Sequence, residues 1–217
     1  MSIKLTPRLK AAADFVRSNK KIADIGTDHG YLVCYLVQNG ICKSGIASDI
    51  GEGPLMSAKQ TITENNLTSL VVPRLSDGLK QINKDEADDI VIAGMGGELI
   101  ALILSECSWA KDKDKHFVFQ PMTHPEFLRS YLCNNGYKIN KETVVGEGNK
   151  NYCIMDVSFS GEIKKYSLIY KYIGEIKTFD ELPTKNYINH LINYLINKQK
   201  GNNSGELQAI IEELKLL

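Results

Sequence analysis

Between Lys21 and Tyr31 the chain reads Lys-Ile-Ala-Asp-Ile-Gly-Thr-Asp-His-Gly-Tyr, with acids and glycines spaced for ligand chemistry. Ile22, Ala23 and Ile25 read as a short buried strand, Gly26 as a turn, and Tyr31 to Val37 as a helix closed by Asn39-Gly40. A strand that passes through a glycine turn into a helix aims N–H groups and a helix N-terminus at one point, which suits a nucleotide-like ligand. A dinucleotide fingerprint needs G-x-G-x-x-G, whose middle glycine admits a pyrophosphate. Here the spacing is Gly26-x-Asp28-x-Gly30. An acid at the point of closest approach repels a diphosphate and suits a cation. S-adenosylmethionine carries a sulfonium and an ammonium and no phosphate. Asp24, at the strand end, is a second carboxylate in reach. The charge pattern favours S-adenosylmethionine over NAD, with Asp24, Gly26, Thr27, Asp28 and Gly30 in the cofactor turn.

The flanking elements repeat this arrangement. Ser44 to Asp49 reads as a second strand ending in an acid, about 20 residues past the turn, where nucleoside-binding α/β folds hold the ribose hydroxyls. Asp49, with Ile50 beside it, is assigned that role; the alternative is a capping Asp ahead of Gly51-Glu52-Gly53-Pro54, where the next helix starts at Pro54. A third strand begins at Leu70 and delivers Ser76-Asp77-Gly78, which could hold the adenine amino group or serve as an Asp-Gly turn. Asp89 to Ala93, apolar on both faces, reads as a central parallel strand ending in Gly94-Met95-Gly96-Gly97. A plain strand-to-helix turn does not need three glycines, and a backbone-lined slot can receive a flat base. Phe117 to Gln120 is a fifth strand, followed by a helix with Pro125 in its first turn and Gly136 at its end. Residues 137–147 and 151–160, joined by Gly148-Asn149-Lys150, read as a hairpin. The result is an α/β fold: a mostly parallel, Rossmann-like sheet with an antiparallel edge.

Beyond Gly161 the texture changes. Asn186 to Lys200 carries Tyr187, Leu191, Tyr194 and Leu195 at helical spacing, Gly201 to Ser204 reads as a turn with Ser204 as N-cap, and Leu207, Ile210, Ile211 and Leu214 mark a last helix. These two helices predict an antiparallel hairpin. The expected division is 1–161 for the cofactor domain and 162–217 for a helical extension. At the other end, Thr6-Pro7 starts a helix whose buried face is Leu9, Ala12, Ala13 and Val16. Residues 1–21 carry six bases against Asp14 alone, either a solvated face or an RNA-backbone contact.

Composition bounds the rest. A chain of 217 residues can hold one full α/β domain and a small appendage, and 43% hydrophobic with 24% charged residues excludes a disordered chain. The zero net charge means that any nucleic-acid surface must be local. Five scattered cysteines without C-x-x-C spacing predict reduced thiols in a cytoplasmic protein, with no zinc site and no disulfide framework. No run approaches a membrane span, and no signal-peptide core is evident.

Asp24-Ile-Gly-Thr-Asp-His-Gly-Tyr-Leu32, Ser48-Asp49 with Gly53-Pro54-Leu55, Ser76-Asp77-Gly78, Ala93-Gly94-Met95-Gly96-Gly97 and Phe119-Gln120-Pro121 together resemble the TrmK family, bacterial tRNA methyltransferases acting on N1 of adenine 22. The resemblance covers roughly residues 3–160 and continues into a helical tail. It implies a class I methyltransferase sheet, S-adenosylmethionine as cofactor, and a coiled-coil-like C-terminal extension that helps hold tRNA. Amino-group adenine methyltransferases usually end the fourth strand in Asn/Asp-Pro-Pro-aromatic; Gly94 to Gly97 stands there instead.

On this reading Asp49, Ile50, Asp77, Gly78 and Gly94 complete the cofactor site. N1 of neutral adenine has a free lone pair, so catalysis is mainly alignment. A carboxylate near the developing cation would stabilise it or take an amino proton. Asp28 is the first candidate, His29 could orient it or contact RNA, and Gly94 and Met95 line the reacting position. Tyr31, Gly96 and Gly97 are assigned to the unstacked base, and Lys4, Arg8 and Lys10 to the RNA backbone. No metal is expected, and the protein is expected to act as a monomer. Alternatives are a methyltransferase for another RNA, a protein or a small molecule, and a catalytically silent S-adenosylmethionine-binding RNA module. An NAD-linked oxidoreductase is disfavoured by the spacing and charge of the turn.

Overall fold

The computed structural model describes residues 3–201 and 205–217. Helix α1 (Pro7–Ala13) starts as its sequence dictates: Thr6 is the N-cap, its Oγ1 accepts from the Leu9 N–H at 3.5 Å, and Pro7 opens the first turn. Strands β1 (Lys21–Ile25), β2 (Ser44–Asp49), β3 (Val71–Leu75), β4 (Asp89–Met95) and β5 (His116–Pro121) run parallel. Helices α2 (Tyr31–Gln38), α3 (Glu52–Glu64), α4 (Gly97–Glu106) and α5 (Pro125–Asn134) alternate with them. The antiparallel pair β6 (Tyr137–Glu147) and β7 (Lys150–Phe159) closes a seven-stranded sheet of order β3-β2-β1-β4-β5-β7-β6.

Strand periodicity sorts the core into two layers. In β4, Ile90 and Ile92 face one layer and Val91 the other; in β5, Phe117 and Phe119 oppose Val118 in the same way. One layer packs under α4 and α5 through Ile100, Leu104, Leu128 and Leu132. The other packs under α1, α2 and α3 through Ala12, Leu32, Leu36, Ala58 and Ile62. Both faces of the central strands are thereby buried, which is why they read as unbroken apolar runs. Each fully buried Ile or Leu contributes about 1.5–3 kcal/mol of burial free energy. The strand order reverses between β1 and β4, and open α/β sheets place their ligand crevice at the carboxyl ends beside that switch.

The tail begins with a short helix, α6 (Tyr170–Ile173), and continues as α7 (Leu182–Gly201) and α8 (Gly205–Leu214). A third apolar cluster joins them, with Ile188, Ile192 and Leu195 of α7 against Ile210, Ile211 and Leu214 of α8. Near the connection the Gln199 side-chain amide donates to Gln208 at 2.9 Å, as an antiparallel hairpin requires. The expected Ser204 cap lies outside the described residues.

The structure moves two expected helix starts and adds a short helix. Helix α3 starts at Glu52, two residues before Pro54, because the chain turns helical directly after Gly51. Helix α7 starts at Leu182, and α6 was not anticipated: four residues are too short for a periodic signal.

The tail is tied to the sheet through a buried ion pair. Arg129 of α5 donates from Nε to Glu142 of β6 at 2.9 Å, and both side chains are fully buried. Arg129 also reaches the carbonyls of Lys171 and Tyr172 at 3.1 and 2.7 Å, while the Glu175 N–H donates to Glu142 at 2.7 Å. Gly174, at φ +54°, passes so close that a Cβ there would overlap the Glu142 carboxylate.

Candidate functional site

The switch-point crevice is built from the ends of β1, β2 and β4. The N–H groups of Gly26 and Thr27 both donate to the Ser48 carbonyl at 2.8 Å. The Asp28 N–H donates to Asp49 at 3.3 Å, and the Gly30 N–H to the Thr27 carbonyl at 2.9 Å. These donors are therefore consumed within the protein, where a phosphate-binding turn would leave them free. The turn is locked in shape, with Gly26 at φ +74° and Gly30 at φ +70°.

The ends of β1 and β2 carry two acids, Asp24 and Asp49. Asp24 is buried, and its carboxylate accepts from the Thr27 hydroxyl at 2.6 Å. Burial pushes its pKa up to about 6, the Thr27 hydrogen bond opposes the rise, and the Asp49 charge adds to it. Asp49 also accepts from the Gly51 N–H at 2.9 Å. Among the described residues no Lys, Arg or His pairs with either carboxylate. The buried Ser48 hydroxyl next to Asp49 has no partner. Ile50, beside Asp49, is 69% exposed and offers an apolar face at the crevice edge. Two adjacent acids without a protein cation fit a cationic nucleoside; a pyrophosphate does not fit them.

Asp28 stands at the rim in the left-handed region, φ +52°, with its side chain in solvent. Its carboxylate lies 3.5 Å from His29 Nε2. The His29 ring stacks on Tyr31 at 5.3 Å and 16°. Tyr31, at the start of α2, is 45% exposed, so the pair forms an aromatic ledge beside the turn.

The glycine slot lies at the end of β4, beside the Gly26 turn. Gly94 is the extra residue where the β4–β5 register shifts between Ala93 and Met95, and its φ of +88° requires glycine. The bulge frees its N–H, which donates to the Gln120 side-chain oxygen at 3.1 Å. Arg8 donates to the same oxygen at 2.7 Å, which brings α1 over the end of β4. Glu147, at the end of β6, accepts from the Arg8 N–H at 3.0 Å and lies 3.7 Å from its guanidinium. Met95 packs onto Gly26, where a Cβ would lie 2.3 Å from the Met95 methyl, so the two turns touch. Gln120 stood in a recognised motif but was not expected in the site. A buried amide at a strand end gives no sequence signal until the bulge that needs it is known.

Several other expected residues have packing or ion-pair partners within the protein. The Asp77 carboxylate pairs with Lys80 at 2.6 Å, and Lys80 with Glu106 at 3.1 Å, beside a separate hollow under α4. Gly78 and Gly97 are explained by packing: a Cβ would meet Ile103 at 2.9 Å and the His124 carbonyl at 2.3 Å. Gly96 caps α4 against Thr123. Lys10 pairs with Asp14 one turn on, and Lys4 is exposed. Arg17 grips buried Asp89 at 2.7 Å, so part of the N-terminal positive charge is structural.

Comparison with known proteins agrees with this geometry. A family model described as "Methyltransferase domain" matches residues 5–155. The tRNA (adenine(22)-N(1))-methyltransferase of Bacillus subtilis is 39% identical over 156 residues, 70% of this chain and 64% of that protein's own length. The crystal structure of the B. subtilis m1A22 tRNA methyltransferase TrmK superposes with a TM-score of 0.81 at 28% identity, covering 98% of this chain and 95% of the other. M. capricolum TrmK, in complex with its natural cofactor product S-adenosyl-homocysteine, superposes with a TM-score of 0.79 at 27% identity, covering 97% and 96%. With the sheet order, the acidic switch-point crevice and these matches in accord, the chain belongs to the methyltransferase-domain family and is similar over most of its length to the TrmK proteins.

Proposed function

We propose that this protein transfers a methyl group from S-adenosylmethionine to N1 of adenine 22 of tRNA. The observation that carries the reading is a nucleoside-type crevice whose turn donors are already used and whose facing groups are two unpaired acids, Asp24 and Asp49. Its similarity to the TrmK proteins, and the substrate named for the B. subtilis relative, point to the acceptor.

S-adenosylmethionine supplies, when bound, a methyl group on a positively charged sulfur. Asp24 serves that cationic ligand, Asp49 its ribose hydroxyls, and Ile50 a flat apolar face. Gly26, Thr27 and Gly30 shape the turn. Asp77, once released from Lys80, and the backbone at Gly78 form the adenine end. Gly94 and Met95 border the reacting position, with Gly96 and Gly97 fixing the start of α4. Asp28 faces the charge that develops on the methylated ring, His29 orients its carboxylate, and Tyr31 stacks on the incoming base. Lys4, Arg8 and Lys10 meet the RNA backbone, with Arg8 held at the slot by Gln120. Residues 1–161 act as the catalytic unit and 162–217 as an RNA-holding extension, in a cytoplasmic monomer. Isothermal titration with S-adenosylmethionine and with NAD, followed by methyl transfer to bulk tRNA, tests the proposal: it expects binding of the first alone and labelled tRNA.

A further inference from the structure

A cavity of about 670 Å³ opens where the tail meets the sheet, lined by the loop after β5, the β6–β7 turn and one face of α7. Its volume falls in the range of ligand sites. Three tyrosines, two histidines, three asparagines and a lysine face it against one glutamate, Glu126, which lies 3.3 Å from His124. Aromatic faces, amides that both donate and accept, and a spare positive charge match an unstacked nucleobase with its phosphate. An acidic peptide would need more cations than Lys150 supplies, and an apolar one would leave the asparagines unpaired.

The cavity borders the glycine slot through the loop after β5. Its loop is bonded to the glycine slot by Met122 N–H to the Met95 carbonyl and by Gly97 N–H to the Thr123 carbonyl, both at 2.8 Å. On the other wall, the Arg8 guanidinium carbon lies 5.9 Å from the centre of the Tyr152 ring. A strand whose target base enters the slot would carry its next nucleotide toward this wall. We infer that the cavity between the β5 loop and α7 is a subsite for an unpaired nucleotide flanking the target adenine, stacked on Tyr194 and Tyr152. The inference rests on the tRNA reading above and gives α7 a role as one wall of the substrate site.

The test uses the full chain, a fluorescent tRNA transcript and the variants Tyr194→Ala, His190→Ala and Tyr194→Phe. Tyr194 is 40% exposed and His190 is exposed, so the fold should survive; thermal unfolding checks this. The Kd for tRNA should rise about tenfold in Tyr194→Ala, the loss of one stacked base, and about threefold in His190→Ala, the loss of one hydrogen-bonding wall group, with Tyr194→Phe near wild type and S-adenosylmethionine affinity unchanged. Crosslinking of 4-thiouridine-substituted tRNA should map to the cavity walls. Unchanged Kd values in both alanine variants, or crosslinks confined to other surfaces, overturn the subsite and leave the cavity to a protein partner. Because both readouts are binding measurements, they decide the subsite even if the wild type transfers no methyl group, the result that would defeat the function reading instead.

Discussion

At the residue level the proposed function gives the acids separate tasks, Asp24 and Asp49 holding the cofactor and Asp28 acting on the base. Asp49→Ala should weaken S-adenosylmethionine binding by about 1–3 kcal/mol in a calorimetric titration, the loss of a charge-assisted partner. Asp24 adds a pH signature. Its folded pKa is raised to about 6, so the proton is favoured in the ligand-free protein, and ionising it as pH rises through 6 costs the empty fold. A bound cation offsets that cost, so affinity should rise with pH and level off near neutrality. Binding should be about tenfold weaker at pH 5 than at pH 7, and a flat profile would remove Asp24 from the site. Asp28 makes no side-chain contact with either acid and points to the rim. Asp28→Asn keeps the shape, tolerates the left-handed φ and removes the charge. It should lower kcat about 100-fold with cofactor and tRNA affinities near wild type; a wild-type rate would leave positioning by Gly94 to Gly97 as the better account.

At the scale of elements, the Arg129–Glu142 pair links α5 and β6 to the start of the tail. Glu142→Ala leaves a buried guanidinium without its counter-charge and should cost about 3–5 kcal/mol of stability by denaturant titration. Removing residues 162–217 strips the same pair of its backbone partners, so a truncation assay must confirm that the remainder is folded before it is read as loss of RNA binding. Elements were legible wherever a local pattern suffices: the Thr6-Pro7 start, the alternation of β4 and β5, and the glycine-marked hairpin. The glycine turn between β1 and α2 was legible, but not that Ser48 consumes its N–H groups, because that bond joins separate strands. Arg8 with Glu147, 139 residues apart, and Gln120 with the Gly94 bulge are likewise properties of the assembled sheet. Asp77 with Lys80 was a local i,i+3 pair that the sequence did offer and the ligand reading passed over.

At the scale of the whole molecule, the two ends of the sheet are electrostatically distinct. The amino end is closed by His116 between Asp156 at 2.8 Å and Asp89 at 3.0 Å, with Arg17 on Asp89. Burial alone would push the imidazole pKa down, but the two carboxylates more than offset this and raise it to about 9. The stabilisation is complete below the unfolded value near 6.5 and is lost as pH rises toward 9. Thermal stability should therefore fall across that window, and His116→Gln should flatten the slope. The carboxyl end instead carries the acids Asp24 and Asp49 without a protein cation, beside turn donors already used within the protein. The proposed reaction is regiochemical: one ring nitrogen of one adenine. The most direct measurement is methyl transfer from S-adenosylmethionine to a tRNA transcript, with the product mapped by nucleoside mass spectrometry and reverse-transcription arrest. The account predicts 1-methyladenosine at position 22 and no transfer to a transcript carrying guanine there. Methylation of another position, or of the exocyclic amino group, would contradict it.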